Sequence, residues 1–170
     1  MSISGLPGIV QALTEVLLSD SEPLAKFGWP VRVYIEDTDA GGIVFHARYL
    51  HYMERARTEW VRSCGVGLRA GMADNISYVV QRLSIHYAAP AKLDDELVVT
   101  AEPVAFGRVW MEFRQRVVRV RDRKQLCEAD VKVACVALDS GRPIRLPDNM
   151  RGLLEQSRPH PETEHGTSQE

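Results

Sequence analysis

The chain has 170 residues, of which 45% are hydrophobic and 26% are charged, and its formal net charge at pH 7 is −2. These proportions are those of an ordinary globular protein, so they exclude wholesale disorder and fibrous repeats. The near balance of acidic and basic residues provides no overall positive field, which argues against nucleic acid as a partner. The length is enough to bury the core of one domain.

The N-terminal region predicts no targeting or membrane-spanning segment. The first basic residue is Lys26, so the charged start of a signal peptide is missing, and the apolar run at residues 9–18 is too short to span a bilayer. Cys127 and Cys135 lie eight residues apart on one predicted strand. That spacing is about 26 Å of extended chain, which is too far for a disulfide. We therefore expect reduced cysteines and a cytoplasmic protein.

The composition changes at both ends of the chain and divides it into three parts. Residues 1–28 are an extension with a short amphipathic helix, which either docks on the main domain or binds a separate partner. Residues 29–147 hold the main domain. Residues 148–170 are predicted to form a short C-terminal helix and a mobile tail, because the sequence from Arg158 onward is polar and contains no apolar residue.

A strand over residues 29–36 and a glycine-containing loop over residues 37–45 precede the main helix. The helix is predicted over residues 47–64, because one stripe at helical spacing is apolar: Tyr49, Met53, Ala56, Trp60 and Cys64. The opposite face carries mainly charged residues: Arg48, Arg55, Arg57, Glu59 and Arg62. Gly65 and Gly67 end the helix.

After the helix, the hydrophobic pattern changes to a period of two, which is typical of strands. The alternating or apolar runs cover residues 82–87, 97–104, 109–117 and 127–135. The links at residues 92–95 and 106–107 are short and turn-like, so the sheet should be an antiparallel meander. One long helix facing one sheet is an α+β design. Small residues on the inner face of the last strand would let the sheet curl around the helix.

The loop between the first strand and the main helix is the segment with the clearest chemical potential. It places Asp39, Gly41, Gly42 and His46 just before a helix, whose first backbone N–H groups are free and carry partial positive charge. The glycines allow the backbone to approach a ligand closely. Asp39 could act as a general base or as a nucleophile on an electrophile that those N–H groups polarise. The alternative is that these are ordinary turn and capping residues.

This loop and its flanks resemble a known family. The run VRVYIEDTDAGGIVFH at residues 31–46, followed by Tyr49 and by ERARTE at residues 54–59, is similar to the YbgC-type acyl-CoA thioesterases. These belong with the 4-hydroxybenzoyl-CoA thioesterases in the hotdog-fold superfamily. The stretch YAAPAKLDD at residues 87–95 resembles the same family. The resemblance covers residues 29–147.

The resemblance implies an α+β hotdog fold, in which a curved antiparallel sheet wraps a long central helix, and an enzyme that hydrolyses a short-chain or aromatic acyl-CoA. It implies a homodimer or homotetramer with the site between protomers. Asp39 would be the catalytic carboxylate, the His46 backbone N–H would polarise the thioester carbonyl, and the His46 imidazole would assist proton transfer. The substrate-binding residues would be Gly41, Gly42, Ile43, Val44 and Phe45. Coenzyme A is part of the substrate, and neither a metal nor another cofactor is expected.

One departure from the family and one alternative function accompany this interpretation. Relatives often carry a second tyrosine after the position of Tyr34, where this chain has Ile35.

The alternative function is that of a non-catalytic protein that binds acyl-CoA or acyl carrier protein, since the YbgC branch is associated with the Tol-Pal envelope system. A hotdog dehydratase is disfavoured, because that branch places its histidine and its acidic residue on different elements.

Other polar residues are expected to be structural. Asp37 should bind loop backbone, and Glu59 should be a structural glutamate. His46 and His51 lie five residues apart, which is unsuitable for a zinc site on one helical face. The last group is a basic cluster: Arg114, Arg116, Arg119, Arg121, Arg123 and Lys124. Its predicted position on the outer face of the sheet favours solvated side chains. The alternative is a clamp that binds the phosphates of coenzyme A.

Overall fold

The computed structural model describes residues 26–157. The helix predicted within residues 1–28 and the mobile tail predicted from Arg158 onward lie outside the described residues. Strand β1 covers Gly28–Arg32. Among residues 26–157, no helix is long and apolar enough to cross a membrane.

The first strand is shorter than the predicted 29–36, and the reason is local. Residues Ile35–Asp37 form a 3-10 turn instead of continuing the strand. The Tyr34 backbone N–H donates to the Asp37 carboxylate at 2.9 Å, and the Asp37 N–H donates back to the Tyr34 carbonyl at 3.0 Å. These bonds turn the backbone away from the sheet.

Helix α1, Arg48–Ser63, confirms the predicted main helix. It ends in a Schellman motif, because Gly65 adopts φ +80° and the N–H groups of Gly65 and Val66 reach back to the carbonyls of Arg62 and Val61 at 2.9 and 3.3 Å. Its buried face holds Tyr49, Tyr52, Met53, Ala56, Arg57, Trp60 and Val61. The placement of Arg57 on the solvent face was therefore wrong, since its guanidinium is held inside by Gln115 of the sheet.

The remaining elements follow in chain order. Helix α2, Leu68–Ala73, lies between α1 and β2, where the sequence pattern predicted neither a helix nor a strand. The strands are β2 Ile76–Tyr87, β3 Glu96–Thr100, β4 Glu102–Phe106, β5 Trp110–Arg119 and β6 Lys124–Ala137. Helix α3, Asp148–Ser157, follows the sheet.

All strand pairs are antiparallel, as predicted, in the order β1-β3-β5-β6-β2. Strands β3 and β4 pair with opposite halves of β5, so the apolar run at residues 97–104 is one strand interrupted at Ala101. The predicted meander is wrong at the link between β2 and β3. The Ala88 and Ala89 N–H groups bind the Leu126 carbonyl, and the Asp94 N–H binds the Val33 carbonyl. The link therefore crosses the end of the sheet, and β2 lies at the edge beside β6.

The core lies between α1 and the facing surface of the sheet. Small and branched residues of β6 are buried there against the helix, as predicted: Cys127, Ala129, Val131, Val133 and Cys135. The rings of Trp60 in α1 and Phe113 in β5 meet edge to face at 5.3 Å. This packing holds the C-terminal half of α1 against the sheet, and the Ala91 N–H, which donates to the Tyr49 hydroxyl at 2.9 Å, ties the first turn to the link between β2 and β3.

Candidate active site

The loop before α1 is a tight hairpin. Thr38 and Val44 pair as an antiparallel bridge, the Asp39 N–H donates to the Ile43 carbonyl at 2.9 Å, and the Gly42 N–H donates to the Asp39 carbonyl at 3.0 Å. Gly42 adopts φ +74°, a left-handed conformation that glycine enters without steric cost. The hairpin therefore presents Asp39 at its bend.

The link between β2 and β3 holds this hairpin in place through backbone hydrogen bonds. The Val44 N–H donates to the Ala91 carbonyl at 2.9 Å, and Ile43 pairs with Lys92 as an antiparallel bridge. The buried Asp95 carboxylate accepts the Lys92 N–H at 2.9 Å and so fixes the turn that carries these residues. The loop thus rests on a backbone platform that comes from a distant part of the sequence.

The Asp39 side chain is exposed and held by one hydrogen bond. Its Oδ1 accepts the Gly41 N–H at 2.8 Å. A Cβ atom at position 41 would lie 3.1 Å from that oxygen, so glycine allows the carboxylate to fold back over the turn. Among residues 26–157, Asp39 Oδ2 has no hydrogen-bond partner and is available to a ligand.

Asp37 differs from Asp39 because it is buried and satisfied by its surroundings. Its carboxylate accepts the Tyr34 N–H and forms an ion pair with Arg48, whose Nε lies 3.6 Å away. Arg48 also donates to the Glu36 carbonyl at 2.8 Å, which ties the 3-10 turn to the first residue of α1. The pKa of Tyr52 is raised, mainly by burial and secondly by the negative charge of the Asp37 carboxylate. Asp37 therefore binds loop backbone, as the sequence predicts, and organises the loop from the inside.

His46 lies two residues before α1, and its side of the loop offers a backbone N–H to the cavity region. The Arg48 N–H donates to the Phe45 carbonyl at 2.8 Å and the Leu50 N–H to the Ala47 carbonyl at 3.1 Å, but the His46 N–H has no acceptor within the described part of the chain. The N-terminal N–H groups of a helix carry partial positive charge. The His46 amide is therefore a ready donor for an anionic oxygen.

Tyr87, at the end of β2, reaches the same place from the sheet. Its hydroxyl donates to the His46 backbone carbonyl at 2.9 Å, and its ring meets the rings of His46 and Tyr49 edge to face at 6.4 and 5.5 Å. Burial raises the pKa of Tyr87, so the hydroxyl stays a donor at neutral pH. The sequence pattern predicts no functional role for Tyr87, and the only signal that pointed to it is its place in the YAAPAKLDD stretch at residues 87–95.

One cavity of about 360 Å³ gathers these groups. Its walls are formed by Asp39, Ile43, Val44, His46, Tyr49, Tyr87, Ala88, Ala89 and Pro90. The two residues predicted to be catalytic, Asp39 and His46, therefore meet in one place. Of the five residues predicted to bind substrate, Ile43 and Val44 line the cavity. Gly41 and Gly42 form the turn beside it, and Phe45 packs its ring against that of His46 at 4.4 Å.

The basic cluster on β5 and β6 is mostly engaged in ion pairs. Arg114 pairs with Asp130 at 3.1 Å, and Arg116 pairs with Glu128 at 3.0 Å. The buried Arg119 contacts Asp122 at 2.6 Å and Asp95 at 3.6 Å. Further along the cluster, Arg121 lies 3.5 Å from Asp95. These pairs favour the structural interpretation of the cluster over a clamp for phosphates.

The residues that line the cavity bring a carboxylate, an imidazole and apolar side chains, together with the His46 N–H, which has no acceptor among residues 26–157. In residues 26–157, no group of three or more His, Cys, Asp or Glu side chains is placed to hold a metal ion. A carboxylate opposite a helix N-terminus is suited to activating a nucleophile, or attacking directly, while the N–H stabilises the negative oxygen that forms. The arrangement fits acyl transfer at a carbonyl group.

Comparison with known structures identifies the architecture. The chain aligns with the crystal structure of a 1,4-dihydroxy-2-naphthoyl-CoA thioesterase from Synechocystis with a TM-score of 0.71 and 22% identity, covering 75% of this chain and 94% of that one. The helix wrapped by a single antiparallel sheet is the hotdog fold. The sequence profile of the thioesterase superfamily matches residues 41–125, which include the end of the loop, α1 and most of the sheet.

Two bacterial relatives define the family more closely. The acyl-CoA thioesterase YbgC of Haemophilus influenzae is 44% identical over 129 residues, covering 75% of this chain and 93% of the relative. The acyl-CoA thioester hydrolase YbgC of an Escherichia coli strain, CFT073, is 43% identical over 130 residues, covering 76% of this chain and 96% of the relative. The chain belongs to the thioesterase superfamily and, within it, to the YbgC family.

Proposed function

We propose that this protein hydrolyses the thioester bond of an acyl-CoA, with Asp39 as the catalytic carboxylate. The observation that carries the proposal is that one cavity is lined both by Asp39 and by His46, whose backbone N–H has no acceptor among residues 26–157. The names of its YbgC relatives, acyl-CoA thioesterase and acyl-CoA thioester hydrolase, support the same reaction.

The His46 N–H polarises the thioester carbonyl. Attack at the carbonyl carbon moves negative charge onto the oxygen, and a donor already aimed at that position stabilises it without reorganisation. The start of α1 adds its partial positive charge in the same direction. The His46 imidazole, exposed at the cavity wall, is placed to carry a proton between the site and solvent.

Asp39 acts on the acyl carbon by one of two routes. As a general base it removes a proton from water while the water oxygen bonds to the carbon; the C–S bond then breaks, and the proton passes to the departing thiolate. As a nucleophile, its carboxylate bonds to the carbon and the thiolate leaves, after which water hydrolyses the mixed anhydride. In a single turnover in ¹⁸O-labelled water, label enters Asp39 only by the nucleophilic route with water attacking the Asp39 carboxyl carbon of the anhydride, so label in Asp39 would establish that route.

The volume and lining of the cavity support a short-chain or aromatic acyl group as the substrate. Its walls near Asp39 are apolar, with Ile43, Val44 and Tyr49 facing a space of about 360 Å³. That space suits a short aliphatic or an aromatic acyl group, with the coenzyme A part extending outward as substrate. The chemistry of thioester cleavage at this site uses neither a metal nor another cofactor.

The test is a panel of acyl-CoA substrates assayed by free-thiol release, with the variants Asp39→Asn and Asp94→Asn. The first variant keeps the shape of the side chain and should lose at least about 100-fold in kcat/KM, the usual contribution of a catalytic acid or base. Asp94 is an exposed residue at φ +66°, which asparagine tolerates, so its variant should match the wild type. Turnover that survives in Asp39→Asn would refute the role of Asp39.

The same panel addresses the alternative function. Tight binding of acyl-CoA without release of thiol from any substrate would favour a non-catalytic binding protein. Association with acyl carrier protein or the Tol-Pal system, and a cytoplasmic location, stay predictions from the sequence.

We also infer that the protein assembles as a homodimer or homotetramer through β2. In residues 26–157 one edge of this 12-residue strand is unpaired, and Val79 and Val80 on it are 43% and 50% exposed. Long apolar edges of this kind recruit another strand unless they are protected. Val80→Lys should shift the solution mass toward the monomer, whereas Leu93→Lys, at an exposed apolar residue away from β2, should not. A wild-type monomer would refute the assembly.

A further inference from the structure

The His46 peptide group lies at the boundary between the loop and the helix, where the regular hydrogen bonds of α1 do not reach it. The Leu50 N–H, which would bind the His46 carbonyl in a regular helix, donates to the Ala47 carbonyl instead. Among residues 26–157, no backbone N–H binds the His46 carbonyl. Without another donor, this carbonyl would be free to rotate at the wall of the cavity.

The Tyr87 hydroxyl is the donor that satisfies it, at 2.9 Å. Tyr87 is itself held firmly, because β2 pairs it with Cys127 of β6 and its ring packs edge to face on Tyr49. The hydroxyl is therefore placed by the sheet, while the carbonyl that it binds belongs to the start of the helix. This hydrogen bond joins the two layers of the fold at the cavity.

We propose that Tyr87 is a positioning residue for the His46 amide, an inference that rests on the proposed thioesterase function. The N–H and C=O of His46 belong to two rigid peptide planes that meet at one Cα atom, so their directions are related only through φ and ψ. The Arg48 N–H holds the plane of the His46 N–H through the Phe45 carbonyl at 2.8 Å, and the Tyr87 hydroxyl holds the second plane through the His46 carbonyl, so the two bonds together fix φ and ψ at His46 and the orientation of the N–H that receives the substrate oxygen. The Tyr87 hydroxyl also keeps the partially negative carbonyl oxygen from turning into the cavity.

The expected effect lies in the chemical step rather than in binding. The hydrogen bond from the His46 N–H strengthens as negative charge builds on the substrate oxygen, so misplacing the donor raises the barrier more than it weakens the ground-state complex. Tyr87→Phe removes only the hydroxyl and leaves the ring that lines the cavity. Its kcat should fall about tenfold, the loss expected for one hydrogen bond, with KM within about twofold of wild type.

The matched control is Tyr78→Phe, the same substitution on the same strand. The Tyr78 hydroxyl has no hydrogen-bond partner in the described part of the chain, so its removal should leave kcat and KM unchanged. Equal kcat values for the two variants would overturn the proposal. A rise in KM with kcat unchanged would overturn it as well, because it would show that Tyr87 binds substrate instead of positioning His46.

A second measurement separates this inference from the proposed function. The ¹³C chemical shift of the His46 carbonyl, measured by NMR with selective labelling, should move in Tyr87→Phe and stay constant in Tyr78→Phe, because it reports the hydrogen bond directly. A constant shift in both variants overturns the positioning role whether or not the enzyme turns over. A wild-type protein that releases no thiol from any acyl-CoA refutes the proposed function, and with it the catalytic meaning of the Tyr87 contact.

Discussion

The Arg57 guanidinium donates a hydrogen bond of 2.7 Å to the Oε1 of Gln115, in the buried layer between α1 and β5. The Gln115 Nε2 donates in turn to the carbonyls of Met53 at 3.0 Å and Thr100 at 3.1 Å. Burial lowers the pKa of Arg57, and the contact with Glu54 opposes that effect. One side-chain amide thus joins the main helix to two strands, at the point where Ala101 interrupts the sheet.

Replacing Gln115 with leucine should destabilise the protein by about 3 kcal/mol. The apolar side chain leaves the guanidinium with Glu54 alone and removes the buried hydrogen bonds to two backbone carbonyls, and such losses cost about 1–3 kcal/mol each, partly relieved by relaxation. Urea unfolding would measure the loss. Gln125→Leu, at an exposed position of β6, should change the unfolding free energy by no more than about 0.5 kcal/mol. Equal unfolding midpoints for the two variants would contradict this account of the buried amide.

The turn that presents Asp39 should depend on a glycine at position 42. Gly42→Ala meets no neighbouring atom within 4 Å, so its cost comes from the φ of +74° and should be about 1–2 kcal/mol. We expect a lower kcat as well, because the same turn places Asp39. Gly152→Ala also meets no neighbour, but it lies inside α3 without a positive φ, and it should stabilise by about 0.5–1 kcal/mol. Thermal unfolding of both variants would show the opposite signs, and two shifts of the same sign would exclude backbone conformation as the cause.

Alkaline pH should weaken the folded state through the buried Cys127 thiol and the partly buried Tyr78 hydroxyl. Burial raises the pKa of Cys127 from 9.0 to about 12, and burial together with Cys135 raises that of Tyr78 from 10.0 to about 12. Above pH 9 the unfolded chain therefore releases protons that the folded protein retains. Stability should be constant just below pH 9 with respect to these groups, and should fall as the pH rises from 9 to 12.

Urea unfolding across that pH range would measure the slope. Tyr78→Phe removes one of the two groups and should flatten the decline between pH 10 and 12. A wild-type curve that rises over this range would have the wrong sign for buried acids.

The predictions made from sequence succeeded where the physics is local. The period of 3.6 residues in α1 and the period of two in the strands arise from which side chains face the core, so the helix bounds and the antiparallel sheet followed from the printed residues. The loop between β1 and α1 was also predicted, because its glycines and the helix start are contiguous, but its closure as a hairpin through the bridge between Thr38 and Val44 was not. The first strand was overextended, since its end depends on an Asp37 hydrogen bond that periodicity does not reveal.

The sequence by itself therefore determined the class of fold, the family and the loop that carries the candidate chemistry. Only the tertiary structure decided which distant groups meet: Arg57 with Gln115 across 58 positions, Tyr87 with His46 across 41, and β2 with β6 rather than β3. The physical reason is that hydrophobic periodicity indicates whether a residue is buried but does not indicate which distant residue it contacts. The energy of a buried polar group depends on that neighbour, because its desolvation must be balanced by a partner brought to it through space.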